Sequence, residues 1–116
     1  MAWFLRFEAI PPVATCFIIN AVALLDEALE LFIRDKFQGQ STSWTDTSGK
    51  RRAANSFGGR IDFLDRFGRL LSASTLRALK TRRNEYAHES GKYGDWRELD
   101  QVLAEIDTEL RHLGIT

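Results

Sequence analysis

The chain has little of what several common site chemistries need. It contains one cysteine and two histidines, so an internal disulfide and a cysteine-cluster metal site are excluded. No group of His, Asp and Glu has metal-ligand spacing, and no glycine-rich phosphate loop is present. We therefore expect no metal and no cofactor. Cys16 lies in an apolar run, which favours a buried small side chain over a reactive thiol.

The chain also lacks a long uninterrupted apolar run. Residues 9–25 are mostly apolar, but Pro11, Pro12 and Asn20 interrupt them, and the remaining length is below the ~20 residues that a membrane span needs. The small residues ending at Ala23 resemble a signal-peptide cleavage site. However, the helical pattern continues beyond Ala23, so cleavage there would remove half of the first helix. We expect neither a signal peptide nor a membrane span. A cytoplasmic protein is therefore predicted.

The net charge is zero, with 16 basic and 16 acidic residues, but the two signs are not evenly mixed. The segment from Lys50 to Arg83 holds ten basic and two acidic residues, so it carries +8 and the rest of the chain −8. A local basic surface of this kind attracts phosphates whatever the total charge. The alternative interpretation is that these cations pair with acidic residues of the outer helices.

Apolar residues three and four positions apart predict an all-α fold, and no strand-like alternation is present. The predicted helices cover residues 12–36, 56–71 and 74–89, and a last helix runs from a cap at Asp95 to a stop at Gly114. The apolar stripe of the first helix is wide enough to indicate contact with several helices or with a second subunit. The two short connections favour antiparallel neighbours, so residues 1–116 are predicted to form one domain, a compact helical bundle.

Residues 38–55 form the one long polar segment, rich in Ser, Thr and Gly. This composition predicts a mobile loop. Trp44 within it either packs as an anchor against the body of the protein or stacks on a ligand, and packing is the simpler interpretation.

The run from Arg82 to His88 combines the side chains that metal-free RNA cleavage needs. In such cleavage a base takes the proton of the 2′-hydroxyl, a fixed cation stabilises the charge at phosphorus, and an acid protonates the leaving 5′-oxygen. Arg83 follows the spacing of the buried stripe, at its edge. Asn84 and His88 are four residues apart, so they share a helix face on which Asn84 can orient the imidazole. One histidine cannot easily serve as both base and acid. A second copy of the chain, related by a two-fold axis, would supply a second histidine.

The segment from Arg83 to His88 resembles the Arg-x4-6-His signature of the HEPN superfamily, in which residues such as Asn84 commonly follow the arginine. Residues 23–37 and 56–88 are similar in order and spacing to the mannitol operon repressor-like branch, except that Gly58 and Gly59 stand where that branch has serines and other small residues. The resemblance implies a HEPN-like bundle of four to five helices. It also implies a homodimer in which two motifs face one another across a cleft.

The same resemblance implies two kinds of function. Many members of the superfamily are metal-independent endoribonucleases of toxin–antitoxin, antiviral or RNA-processing systems, and some toxins are paired with a small nucleotidyltransferase-like antitoxin. Other members are not nucleases, and repressor-like relatives regulate through protein partners.

Three hypotheses therefore stand at this point. The first is a ribonuclease with catalytic Arg83, Asn84 and His88. The second is a regulator or adaptor on the same fold, in which Arg83 and His88 form a structural polar pair. The third is an unrelated bundle with a chance motif. In the first, RNA would be attracted by a set of basic residues: Lys50, Arg51, Arg52, Arg60, Arg77, Lys80 and Arg82.

Overall fold

The structure, a computed structural model, describes residues 13–89 and 91–115 and confirms an all-α helical bundle. The predicted helix start at Pro12 lies outside the described residues. None of the described helices combines the length and the apolar character that crossing a membrane requires. The elements in chain order are α1 (Val13–Lys36), β1 (Ser43–Thr45), β2 (Arg51–Ala53), α2 (Phe57–Arg66), α3 (Ala73–His88) and α4 (Trp96–Leu113).

Helix α1 buries one face in the core and leaves part of its apolar stripe exposed. The buried face comprises Ala14, Ile18, Val22, Leu25, Leu29, Phe32 and Ile33. Phe17, Leu24 and Leu31, which follow one another at intervals of seven residues, are 50%, 66% and 52% exposed. Cys16 lies on this outward side and is exposed, so the prediction that its side chain is buried is wrong. Only about half of the wide apolar stripe on α1 therefore packs in the core.

Contacts between the helices fix their directions. Arg60 of α2 meets Asp26 of α1, and Phe63 of α2 contacts Phe37 just after α1, so α1 and α2 run parallel. Helix α3 is antiparallel to both α2 and α4, as the short connections predict. The long connection between α1 and α2 therefore brings the chain back alongside the middle of α1, where Arg60 meets Asp26.

That long connection is a β-hairpin, and the predicted loop without strands is wrong. Strand β1 pairs with β2 antiparallel, with Trp44 opposite Arg52. The Asp46 amide donates to the carbonyl of Lys50, and the Gly49 amide, at φ +84°, donates to the carbonyl of Asp46. This is a three-residue loop with glycine in the left-handed position, a connection that suits antiparallel strands.

Trp44 anchors this hairpin to the helices. Its side chain is buried, its ring centroid lies 5.9 Å from that of Phe63, and the guanidinium of Arg66 sits 4.8 Å above its ring. The interpretation of Trp44 as a packing anchor therefore agrees with the structure. A single buried aromatic holds a strand of only three residues against α2.

Helix α2 ends five residues earlier than predicted, at Arg66 instead of Leu71. Gly68 adopts φ +64°, a left-handed conformation that ends a helix, and the Arg69 amide donates back to the carbonyl of Leu64 over 3.1 Å. Phe67 and Leu71, which continue the apolar spacing of α2, lie beyond its end and are 44% and 56% exposed.

The last three helices begin at side-chain caps. The oxygens of Ser56, Ser72 and Asp95 accept hydrogen bonds from backbone amides three residues later, over 3.1, 3.3 and 2.8 Å. Gly114, at φ +79°, caps the end of α4 after Leu113, at the predicted stop. The cap at Ser72 fixes the first residue of α3, which then extends for 16 residues to His88.

Candidate functional site

Helix α3 carries all three residues of the predicted catalytic set. Its core contacts are Leu76, Leu79 and Tyr86, which hold one face of the helix against α2 and α4. Arg83 and Asn84 are half-buried, whereas His88, the last residue of α3, is exposed. The predicted edge position of Arg83 is therefore what the structure shows. Ala87, which follows the buried Tyr86, is exposed.

Arg83 is held by an aromatic ring and an amide. Its guanidinium carbon lies 5.9 Å from the ring of Phe57, at the start of α2, and its Nη2 donates to Oδ1 of Asn84 over 3.2 Å. No carboxylate lies within 4.0 Å of this guanidinium in the part of the chain that the structure describes. Its charge is therefore positioned but uncompensated, which suits it to a phosphate.

The amide of Asn84 contacts Arg83, not His88 as the shared helix face suggested. Among residues 13–89 and 91–115 the imidazole of His88 has no hydrogen-bond partner. The imidazole is open to solvent and to a ligand, but its orientation is not fixed within one chain. The two acidic residues near it, Glu85 and Glu89, both face Lys92, at 4.0 and 3.3 Å.

A hydrogen-bonded group of three residues ties the end of α3 to α4. Tyr86 donates its phenol proton to Glu98 over 2.5 Å, and Arg82 donates to the other oxygen of Glu98 over 2.7 Å. Burial and, after it, the bond to Glu98 raise the pKa of Tyr86. The hydrogen bond to Tyr86 raises the pKa of Arg82 above its already high value. Arg82 thus joins helices, and its charge is matched by Glu98.

The structure also separates the predicted RNA-binding residues into two groups. Arg60 lies with Asp26 at 2.7 Å in a largely buried pair, and Arg77 lies with Asp62 and Asp65 at 2.9 and 3.2 Å. The bond to Asp62 raises the pKa of Arg77. With Arg82, these residues fit the alternative interpretation, in which central cations pair with acidic residues.

The second group lines one cleft of about 260 Å³ between the hairpin, the start of α2 and the middle of α3. It comprises Lys50, Arg51, Arg52 and Lys80, with Asp62 also in the wall. Arg52 pairs with Asp46 at 2.9 Å, while the other three cations have no carboxylate within 4.0 Å in the described part of the chain. The hairpin that sequence reasoning missed therefore brings three predicted RNA-binding residues, Lys50, Arg51 and Arg52, to α3.

Sequence reasoning also missed Glu98 as a contact of the motif. The predicted cap at Asp95 does accept a hydrogen bond from the Glu98 amide. The Glu98 carboxylate, however, turns to Tyr86 and Arg82. Such a contact depends on how α3 and α4 pack, which spacing within one helix does not reveal. Across residues 13–89 and 91–115, no group of three or more His, Cys, Asp or Glu could hold a metal ion.

No protein-family model, curated protein or solved structure matches this chain.

Proposed function

We propose that this protein is a metal-independent endoribonuclease of the HEPN type that cleaves single-stranded RNA in the cytoplasm. The observation that supports this function best is the state of Arg83. Its guanidinium is half-buried, held by Phe57 and Asn84, and matched by no carboxylate in the described residues, on the helix that ends in an exposed imidazole at His88. A fixed cation and an accessible acid–base group are the two kinds of group that transesterification of a phosphodiester uses.

In this proposal Arg83 binds the scissile phosphate and stabilises the negative charge that grows on its oxygens. His88 exchanges the proton of the 2′-hydroxyl or of the 5′-oxygen. The 2′-oxygen bonds to phosphorus as the bond to the 5′-oxygen breaks, which leaves a 2′,3′-cyclic phosphate and a 5′-hydroxyl. Asn84 holds the guanidinium in place through its amide oxygen.

A second copy of the chain supplies the second imidazole. The exposed row of Phe17, Leu24 and Leu31 on α1 gives such a dimer an apolar surface to bury. This row begins near the end of α3, because Phe17 contacts Trp96 at the start of α4, with ring centroids 6.0 Å apart. An antitoxin or regulatory protein is the further partner that we expect for a nuclease of this type.

The test is cleavage of single-stranded RNA in the presence of a chelator. We expect His88→Ala to lower the rate by about 10²–10⁴-fold and Arg83→Ala by about 10²–10³-fold. Arg83→Lys should recover little, because a lysine keeps the charge without the planar fork. His112→Ala is the matched control, because it removes the other exposed histidine and should leave the rate unchanged. Intact RNA, or equal loss in both histidine variants, would contradict the proposal.

The second candidate function is that of a non-catalytic adaptor or regulator acting through protein partners. The exposed apolar row favours it, because three large aliphatic or aromatic side chains are unburied on one helix face. In that case the RNA stays intact with every variant. Leu24→Glu would then abolish assembly with the partner, whereas His88→Ala would leave assembly unchanged.

A further inference from the structure

None of the predicted cleavage residues, Arg83, Asn84 and His88, lines the basic cleft between the hairpin and α3. Its walls come from three elements that are distant in sequence: the end of the hairpin loop with Lys50 and Arg51, the start of α2, and Lys80 of α3. The other two charged residues in the wall are already paired, Arg52 with Asp46 and Asp62 with Arg77. The cleft therefore has three uncompensated positive charges, which together attract an anion.

The position of Lys80 depends on a glycine. A Cβ atom built on Gly58 would lie 2.7 Å from the Lys80 ammonium nitrogen, so the ammonium rests on the backbone at the start of α2 in space that any other residue would occupy. Gly58 thus lets a cation of α3 enter a cleft whose other cations come from the hairpin.

The distance along α3 separates this cleft from His88, whereas Arg83 lies between the two. Lys80 precedes His88 by eight residues, or about 12 Å of helix rise, and precedes Arg83 by about 4.5 Å. One phosphate cannot contact Lys80 in the cleft and His88 together across such a distance. A strand bound along α3 would instead place two different phosphates at the two positions.

We propose that Lys50, Arg51 and Lys80 form a subsite for a phosphodiester of single-stranded RNA other than the one that is cleaved. This inference rests on the proposed ribonuclease function and extends it to the class of substrate. The preferred substrate is then an oligonucleotide long enough to occupy both positions, and a dinucleotide loses the contribution of the cleft.

The first test measures binding without cleavage, by fluorescence anisotropy with a 2′-O-methyl RNA oligonucleotide. Replacing Lys50, Arg51 and Lys80 together with alanine should weaken binding on the order of tenfold or more. The negative slope of log affinity against log salt concentration should become shallower by about 2. The matched control removes three exposed cations outside the cleft, through Arg34→Ala, Arg97→Ala and Arg111→Ala. The control should leave the affinity and the slope nearly unchanged.

The second test changes no charge. Gly58→Ala should displace the Lys80 ammonium, which can move because it is the end of a flexible side chain, and should weaken binding by about twofold to fivefold. Its melting temperature should not fall, because alanine is the better helix former. In the triple cleft variant, KM should rise for the oligonucleotide and stay constant for a dinucleotide.

The outcomes separate this inference from the proposed function. If RNA is cleaved but the triple variant and Gly58→Ala bind as the wild type does, the subsite is overturned and the nuclease is not. If the 2′-O-methyl RNA binds through the cleft but RNA is never cleaved, the subsite remains and the nuclease proposal fails. If the wild type binds no RNA, the subsite is overturned as well.

Discussion

Tyr86 and Glu98 share a hydrogen bond of 2.5 Å that joins α3 to α4 two residues before His88. The same carboxylate accepts from Arg82, so Glu98 holds two consecutive turns of the helix that carries the motif. The end of α3 is thus fixed by a contact with another helix, and the placement of Arg83 and His88 depends on it.

We expect Tyr86→Phe to destabilise the protein by about 1–2 kcal/mol, because it removes a hydrogen bond to a charged and largely buried acceptor. Urea unfolding followed by circular dichroism measures this free energy. Tyr93→Phe is the control, since Tyr93 is 45% exposed and should change stability little. Equal effects of the two substitutions would contradict the role given to Tyr86.

Alkaline pH should weaken the same contact. The pKa of Tyr86 is raised by burial and by Glu98, so the folded state keeps the phenol proton at pH values where the unfolded chain loses it. The contribution of this group is therefore complete below the ordinary tyrosine pKa of about 10 and is lost as the pH rises through the raised value. Unfolding curves from pH 8 to 11 should show a steeper loss of stability in the wild type than in Tyr86→Phe.

Glu109 is the second carboxylate of α4 that holds α3, at the opposite end. It is 3% exposed and accepts from the amides of Leu71 and Ser72 over 2.9 and 3.1 Å, just before α3 begins. We expect Glu109→Ala to cost about 2–3 kcal/mol, because two amides lose their acceptor, and Glu109→Gln about 1 kcal/mol. Glu105→Gln, one turn earlier on the same helix, is the control. Chemical denaturation gives the values, and a loss below about 0.5 kcal/mol for Glu109→Ala would refute this capping.

The hairpin loop should respond to acid through Asp46. Its carboxylate accepts from Ser48, Arg52 and Lys50, and these bonds hold its pKa far below the ordinary range. A depressed pKa means that the stabilisation is complete above the ordinary aspartate pKa of about 3.9 and is lost as the pH falls toward the folded value. Amide shifts of Ser48 and Lys50 in NMR spectra should stay constant from pH 7 to about 3, where an aspartate of ordinary pKa would already be mostly protonated. At neutral pH, the Ser48 and Lys50 amides of Asp46→Asn should have the chemical shifts that the wild-type protein shows only when Asp46 is protonated. Wild-type shifts in that variant would count against the role given to Asp46.

Two neighbouring glycines should behave in opposite ways. A Cβ on Gly59 would collide with the backbone carbonyl of Ala53, which cannot move without displacing β2. We expect Gly59→Ala to destabilise the protein by about 1–3 kcal/mol. Gly58→Ala meets only the end of a lysine side chain and should be neutral or stabilising. Thermal unfolding of the two variants compares them directly, and similar melting temperatures would contradict the close approach of α2 to the hairpin.

The helices were predictable because their apolar spacing and their caps are local properties of the sequence. Asp95 and Gly114 mark the two ends of α4 at the positions where the structure has them. Spacing did not reveal which half of a wide stripe faces the core. On α1, Phe17 and Leu24 fit the stripe as well as Ile18 does, yet only Ile18 is buried.

The hairpin was missed because its strands have three residues each and only Trp44 is buried in them. Its turn signal was present all the same, since Asp46 and Gly49 are typical of a three-residue loop with glycine in the left-handed position. The candidate site was predictable as a set of residues on one helix. Its partners Phe57 and Glu98 were not, because they come from other helices through tertiary packing.

The most direct measurement of the central claim is the chemistry of the ends that RNA cleavage leaves. Chelator-treated wild-type protein should produce 2′,3′-cyclic phosphate and 5′-hydroxyl ends from single-stranded RNA, and His88→Ala and Arg83→Ala should produce neither. Products with 3′-hydroxyl and 5′-phosphate ends, or cyclic phosphate ends that persist in His88→Ala, would contradict the claim that Arg83 and His88 carry the reaction.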